Sequence, residues 1–515
     1  MSEKAQLPGT PDVVGRNLAV LFVGFNPGLR SGETGRHYAG RNNRFWDLLY
    51  ESGLLPRRLA PTEDRLVLAT GYGLTNLVAR TTAQASELRR EEYRRGAVAL
   101  KRKVGLYGPR VVCYMGKGVY ASLRGTASSA ISFGPQPYSV FPDVIDFVAP
   151  SPSGRATIPY RDKLAIMQEL AAVVKRVRAE LLAAWQAGFA HNLLDHALAV
   201  RGGERVVLMS GRPSAELADV LRGPAGELGA ELVAAELTPY WAGEVGDDDA
   251  VIAAPSPAEW GDEEVRRLFG ARAAGDPLTG PAWRARTILL PPLPAEVLHR
   301  TLSMPYREHV SLHDRLMVTL RKASCVHVTS GCGTDLRLTV GPFVTHLFAA
   351  RGPGRFMDGI PGEVRGAVAA GGASGRLVYD TAVCSGLTNE QLVLEIVDGR
   401  VTGMSRRGWA SAVEADGDEA LDSFLRRLGE RTEREPEALA VGGLGIGTNA
   451  AARFSGCIRE DETVLGACHI ALGGDFRAAG SPAGHQAGGV IGRPTVRVDG
   501  KTIIADGLFV DQKLA

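Results

Sequence analysis

The pentapeptide Gly24-Phe25-Asn26-Pro27-Gly28 stands directly at the end of an apolar run, LAVLFVGF (18–25), and its central residue carries a side-chain amide. Such a group can hold a water through its carbonyl oxygen, or bind a base edge with donor and acceptor together. Pro27 stiffens the turn, and Gly24 and Gly28 let the backbone approach a ligand closely, so the Asn26 side chain is expected to project in a fixed direction. Alone, the pentapeptide also reads as an ordinary turn. Lys117 follows a glycine at the end of a second apolar run, VVCYMG (111–116), where it would contact a phosphate or simply be solvated.

These positions need a scaffold, and the sequence supplies one. The runs 18–25, 111–116 and VIDFVAP (144–150) alternate with helical stretches such as RNNRFWDLLYESG and REEYRRGAVALKRKVGLYG. That order predicts an α/β unit with a parallel sheet, and open parallel sheets build their sites at the carboxyl ends of strands. A helix is expected from Tyr160 through DKLAIMQELAAVVKRVRAELLAAW, followed by a second helix, HNLLDHALAV, with a domain junction near 186–190. Beyond it ERVVLMSG, AELVAAEL and AVIAAPS predict a further α/β layer, and from about residue 330 short glycine-rich strands predict a β-rich subdomain. The expected division is therefore 1–185, 190–330 and 331–515.

A chain of 515 residues exceeds what one core organises. Its apolar content of 45% with 23% charged residues suits a globular protein, and no apolar run is long enough to span a bilayer. The start, MSEKAQLPGTPD, shows no signal pattern, so the cytoplasm and no membrane partner are expected. Six cysteines without a C-x-x-C pair give no support to a disulfide framework, a structural zinc or an iron–sulfur cluster, and buried thiols are expected. The net charge of +2 conceals an asymmetry: residues 1–185 hold 26 Lys and Arg against 15 Asp and Glu, or +11, and the remainder is −9. An arginine-rich segment of that charge suits a polyanion, because neutralised phosphates release counterions.

The segment GFNPGLRSGETGRHYAGRNNRFW (24–46) resembles the first motif of the mismatch-specific uracil-DNA and thymine-DNA glycosylase family: GINPG, then an aromatic and alanine, then N-R-F-W. GLTNLVARTT (73–82), VVCYMGKGVY (111–120), FGPQ (133–136) and PSPSGR (150–155) continue the resemblance in order over residues 17–180. It implies a uracil-DNA-glycosylase-like three-layer α/β/α domain acting without a cofactor on double-stranded, mismatched DNA. Asn26 would position the hydrolytic water and Tyr38 would stack on the extruded base. Gly24, Phe25, Pro27, Gly28 and Ser31 would shape the pocket, with Lys117, Ser151, Ser153, Gly154 and Arg155 toward DNA. The family commonly has N-P-S-G-L where this chain has Ser151-Pro152-Ser153-Gly154-Arg155, so an arginine stands at the position that enters the duplex. His37 beside Tyr38 reads as a surface histidine.

Residues 190–515 resemble the thermophilic-type aminopeptidases (peptidase family M29) and their relatives, which include a ring-cleaving dihydroxypyridine dioxygenase. TSGCGTDLRL (329–338), GIPGEV (359–364), GLGIGTN (443–449), DETVLGACHIALGG (461–474) and GHQAGGVIGRPTVRVDGKTIIADG (484–507) carry the likeness. It implies an α/β plus β-rich aminopeptidase-like fold and metal ligands at Glu363, His469 and His485. Gly443 stands where the family has a second glutamate, and Ala487 where it has an aspartate, so a two-metal peptidase site is not expected. The reading preferred on these residues is a decayed half that has lost its metal and serves for homo-oligomerisation or scaffolding. The alternative is that two histidines and one carboxylate hold a single Fe(II) or Zn(II), in a metal-dependent hydrolase or oxygenase of small molecules whose first domain acts on a free nucleoside or merely binds. His309 and His313, at helical spacing, read as core or surface residues.

Overall fold

A computed structural model describes residues 9–210, 215–238, 244–256, 268–269, 283–346, 355–358, 360–408, 418–473 and 487–510. The N-terminal unit is built on strands β1 (Val20–Gly24), β2 (Tyr72–Asn76), β3 (Val111–Met115), β4 (Gly134–Pro135) and β5 (Ile145–Ala149), in the order β2-β1-β3-β5-β4. All neighbours are parallel except β4 and β5. The three apolar runs are β1, β3 and β5. β1 and β3 are buried along their whole length, as strands covered by helices on both faces must be. β2 was not foreseen, because Tyr-Gly-Leu-Thr-Asn lacks a β-branched apolar run. It becomes a strand by pairing with β1 from Val20↔Tyr72 to Gly24↔Asn76. The covering helices are α1 (Leu29–Thr34), α2 (Phe45–Glu51), α3 (Arg90–Tyr107), α4 (Lys117–Arg124) and α5 (Tyr160–His191). The Phe22 ring anchors the core edge-on to Phe45 and Tyr72, at 5.4 and 5.8 Å between centroids.

α5 is 32 residues long and passes straight through 186–190, where a junction was expected, then widens into a π-turn over Asn192–Ala197. The expected second helix is the continuation of the first. The reason is burial: Phe189 and Ala190 are fully covered by the next unit, and Gly188 sits so close to Ser303 that a Cβ there would be 2.9 Å from its Cβ. That next unit has parallel strands β6 (Arg205–Ser210), β7 (Glu231–Glu236), β8 (Ala250–Ala253) and β9 (Arg286–Leu289), with helices α6 (Ala215–Glu227), α7 (Ala295–Leu302) and α8 (Tyr306–Leu320).

The large antiparallel sheet begins at β10 (Cys325–Ser330) and β11 (Asp335–His346), a few residues earlier than composition suggested. The chain then returns to the parallel sheet with β12 (Phe356–Asp358), which pairs with β9. It finishes with β13 (Glu363–Tyr379), β14 (Ala382–Val383), β15 (Gly386–Leu387), β16 (Gln391–Val397), β17 (Arg400–Arg407), α9 (Glu419–Arg434), β18 (Val441–Gly447), α10 (Ile458–Asp461) and β19 (Cys468–Leu472). Last come β20 (Ala487–Ile491), β21 (Pro494–Val498), β22 (Lys501–Ala505) and β23 (Leu508–Phe509). The Asp-Gly pairs 398–399 and 499–500 carry positive φ at both residues and close the β16–β17 and β21–β22 hairpins, because turns of this kind match the strand twist.

The halves share a core. Ala382, Leu387, Ala452, Phe454, Val464 and Val490 lie in the same buried apolar cluster as the N-terminal sheet. Asn17 Nδ2 donates to the carbonyl oxygens of Ala450 and Ala452 at 2.8 and 3.2 Å, and Arg36 donates to that of Asn389 at 2.7 Å. Cys113 and Cys468 are buried thiols, but Cys325 at the start of β10 is exposed. Among the described residues no helix is long and apolar enough to cross a membrane.

Candidate functional site

The loop after β1 is tied to the segment after β2. The amides of Leu77, Val78 and Thr82 donate to the carbonyl oxygens of Gly24, Phe25 and Pro27 at 2.8, 2.9 and 3.1 Å. Gly32 of α1 lies against Thr81, where a Cβ would meet the hydroxyl oxygen at 2.3 Å. The result is a rigid seat for Asn26. Its Nδ2 donates to Thr82 Oγ1 at 2.7 Å, the Arg80 carbonyl at 3.0 Å and the Pro27 carbonyl at 3.2 Å. Two of those acceptors are carbonyl oxygens, which can only accept, so the nitrogen must face them. Thr82 in turn donates to the Gln84 carbonyl at 2.8 Å, leaving its lone pairs for Asn26. The amide oxygen is thereby turned away from those three acceptors, and Asn26 lines a cleft of about 670 Å³.

Tyr38 lines the same cleft with the left-handed backbone φ of +53°, a costly conformation for an aromatic residue that the surroundings must enforce. The enforcement is visible. Ser31 Oγ accepts from the Ala39 amide at 3.1 Å, Asp64 accepts from the His37 amide at 2.9 Å, and Phe45 stacks on the Tyr38 ring at 3.7 Å and 17°. One face of the Tyr38 ring is therefore already covered. Burial pushes its hydroxyl far above the ordinary phenol range, so it stays protonated. His37 is 2% exposed, not a surface residue; its Nε2 lies 2.9 Å from the Pro11 carbonyl, and burial lowers its pKa. Gly24 is required because a Cβ would meet Asn76 Oδ1 at 2.5 Å and the Tyr38 hydroxyl at 3.3 Å.

The opposite wall comes from the loop after β5. Ser151, Ser153 and Arg155 line the cleft; Gly154 does not, but lets the loop nest on Asn42, whose backbone oxygen would be 2.9 Å from an added Cβ. Arg44 N donates to the Pro152 carbonyl at 2.9 Å. Exposed Arg155 reaches across to the Ala83 carbonyl at 2.9 Å and so bridges the two walls at the cleft mouth. Lys117, the first residue of α4, lines the cleft with its ammonium 4.6 Å above the Phe133 ring. Phe25, Pro27, Gly28 and Ser31 also face this space. Sequence reasoning missed Asn76 and Thr82, which also line it. Both lie in the quoted stretch GLTNLVARTT, but only the fold shows that they touch Gly24 and Asn26.

A second cluster lies on the large sheet. β13, β18 and β19 run side by side, with Glu363 opposite Gly447 and Arg365, Gly445 and His469 in one row. The His469 ring lies over Gly445, where a Cβ would be 1.8 Å from it. Its Nδ1 stands 3.5 Å from Glu363 Oε2, and ligand atoms of Glu363, His469 and Glu462 fall within 4.8 Å of one another. Glu462 was not foreseen, although it stands seven residues before His469 in the quoted motif. His485 lies outside the described residues. Gly443 and its neighbours Ala367 and Ala471 offer no ligand, so the cluster suits one ion and not a pair. Arg365 already bonds Glu363 Oε1 through both Nε and a terminal nitrogen, a resident positive charge that an incoming cation must displace.

Residues 11–175 match the model of the uracil DNA glycosylase superfamily, and residues 284–511 match that of 2,5-dihydroxypyridine 5,6-dioxygenase. Among solved structures, the 2,5-dihydroxypyridine dioxygenase of Pseudomonas putida KT2440 is 20% identical, with a TM-score of 0.45 over 65% of this chain and 99% of its own. AmpT from Thermus thermophilus is 13% identical, with a TM-score of 0.42 over 64% of this chain and 100% of its own.

Proposed function

We propose that this chain is a monofunctional DNA glycosylase that hydrolyses the N-glycosidic bond of uracil, or a related pyrimidine, in mismatched double-stranded DNA. The observation that carries this reading is the Asn26 amide, held by three acceptors so that its oxygen is turned away from them, in the cleft that Tyr38 also lines. Cleaving a bond to deoxyribose passes through an oxocarbenium-like state, with water on the far face of the sugar and charge building on the departing base. Asn26 Oδ1 accepts a hydrogen bond from that water and orients it. An amide is a weak base, so turnover is modest and favours bases that leave the stack easily, as in mismatches. Tyr38 offers its remaining face to the extruded base. Backbone N–H groups of the 24–28 loop and the Asn76 amide supply donors for the base oxygens. Arg155 gives up its bond to Ala83 and enters the duplex toward the orphaned base or a phosphate. Lys117 is the one lysine among the described residues lining the cleft and is engaged with Phe133, so no Schiff base forms and the strand is left intact until alkali is added.

The test is a base-release panel of uracil, thymine, hypoxanthine and alkylated cytosines, each opposite guanine in duplex and in single-stranded DNA. Free uracil from the G·U duplex is the expected result. Salt-sensitive binding without release of any base would replace the reading with that of a non-catalytic DNA-binding protein. Thr82→Val keeps the shape but removes the acceptor of the shortest Asn26 bond. It is expected to lower kcat about fivefold, since one such bond contributes about 1 kcal/mol, with substrate binding nearly unchanged. Single-turnover kinetics check this.

In the same proposal residues 1–185 form the glycosylase unit, and 190–330 with 331–515 a relative of the aminopeptidases and dioxygenases that braces it. The grouping of Glu363, Glu462 and His469 favours one further reading, a single divalent ion held there with His485. When bound, such an ion would supply Lewis-acid activation of a water or a substrate oxygen.

A further inference from the structure

We propose that His191, Asp195 and His196 form a binding site for one divalent transition-metal ion of the zinc type, separate from both the cleft and the Glu363 cluster. The site is created by the π-turn. In a regular α-helix residues five apart point about 140° away from each other, which would put His191 and His196 on different faces. The chain instead closes i to i+5 here, with Leu198 N donating to the Leu193 carbonyl at 3.0 Å, and residues five apart then share a face. The two rings come within 4.6 Å.

This distortion is held from the buried side. Asn192 Nδ2 donates to the carbonyl oxygens of Leu302 and Met304 at 2.6 and 2.7 Å, while Leu193, Leu194 and Ala197 are fully buried. Tyr306 at the start of α8 stacks on the His196 ring at 4.6 Å and 19° and fixes its plane. On the open side His191 Nε2 and His196 Nδ1 converge on one oxygen, Asp195 Oδ2, at 3.8 and 3.5 Å. Ligands bonded at about 2.1 Å to a tetrahedral ion stand about 3.4 Å apart, so the three atoms need only small movements to close on it. Two imidazoles and a carboxylate suit zinc and the neighbouring first-row ions, and three protein ligands leave a position for water. Single-turn π segments recur at functional sites, which fits a distortion retained for its product.

The experiment uses the full chain carrying Glu363→Gln, so that the other cluster does not contribute. Zn(II) is titrated calorimetrically and Co(II) by its visible ligand-field bands, with His191→Ala and His196→Ala added singly. One equivalent of metal is expected, with affinity falling at least about 100-fold in each histidine variant, beyond the 10–100-fold that loss of an outer partner costs. His191 is 60% exposed, so its replacement leaves the core intact and keeps the test decisive should His196→Ala unfold. Absence of stoichiometric binding, or binding that both histidine variants retain, would overturn the proposal and leave a histidine–aspartate contact on a helix end.

Discussion

Replacing Asn26 with alanine is expected to lower the rate of uracil release about a thousandfold, within the range of 10²–10⁴ that a positioned proton acceptor contributes. DNA binding should hardly change, because the charge of +11 on residues 1–185 is untouched. The geometry also predicts that aspartate, the stronger base, is no remedy. The Arg80 and Pro27 carbonyl oxygens and Thr82 Oγ1 all need a donor where the Asn26 nitrogen now sits. A carboxylate there would face two carbonyl dipoles with no proton to offer, so Asn26→Asp should be well below the parent at neutral pH. Base release under single-turnover conditions, with binding measured in parallel, decides both points. An Asn26→Ala protein within about threefold of the parent rate would remove Asn26 from the mechanism.

The largest expected effect on stability comes from Glu460→Ala. Glu460 and Arg300 are 0% and 1% exposed, and they pair through two parallel bonds of 2.7 and 2.6 Å. Glu460 also accepts from the Arg453 amide at 3.1 Å, and Glu296 bonds both guanidinium groups, to Arg300 at 2.8 Å and to Arg453 at 2.9 Å. Burial, with Arg300 beside it, pushes the Arg453 guanidinium down to about 10. Removing Glu460 leaves Arg300 charged in the interior with only half-exposed Glu296 to answer it, which costs about 3–5 kcal/mol. Since α7, α10 and the Gly71 turn of the N-terminal unit all meet at this network, both halves should melt together at a lower temperature. Denaturant unfolding of the purified variant measures the loss, and a change under about 1 kcal/mol would show that the network is incidental.

The strands β1, β3 and β5 were legible because parallel strands covered on both faces must be apolar throughout, and the motif around Asn26 was legible because its glycines and proline sit at fixed spacing. Thr82 was not legible as the partner of Asn26. Fifty-six residues separate them, and nothing local in either segment records the contact. The same holds for Asn76 against Gly24, for Glu462 beside Glu363, and for the row that sets Arg365 and His469 on either side of Gly445. The continuous helix through 186–190 was read as two helices for a related reason. Helical periodicity ends where a helix stops showing one wet face, and here Phe189 and Ala190 are buried by a different unit from the one that covers Met167 and Leu170.

What the sequence determined by itself is the apolar strands β1, β3 and β5 with helices between them, the basic character of the first 185 residues, and the types of residue available for chemistry, since these follow from local pattern and composition. Tertiary structure decided which of those residues meet. It turned the Asn26 amide by offering it carbonyl oxygens, forced Tyr38 into a left-handed conformation, and buried His37. It also placed Arg365 on Glu363 and folded the end of α5 into a π-turn that brings His191 and His196 together. Each outcome depends on groups distant in the chain competing for the same space or the same hydrogen bond, and only the folded packing settles such competition.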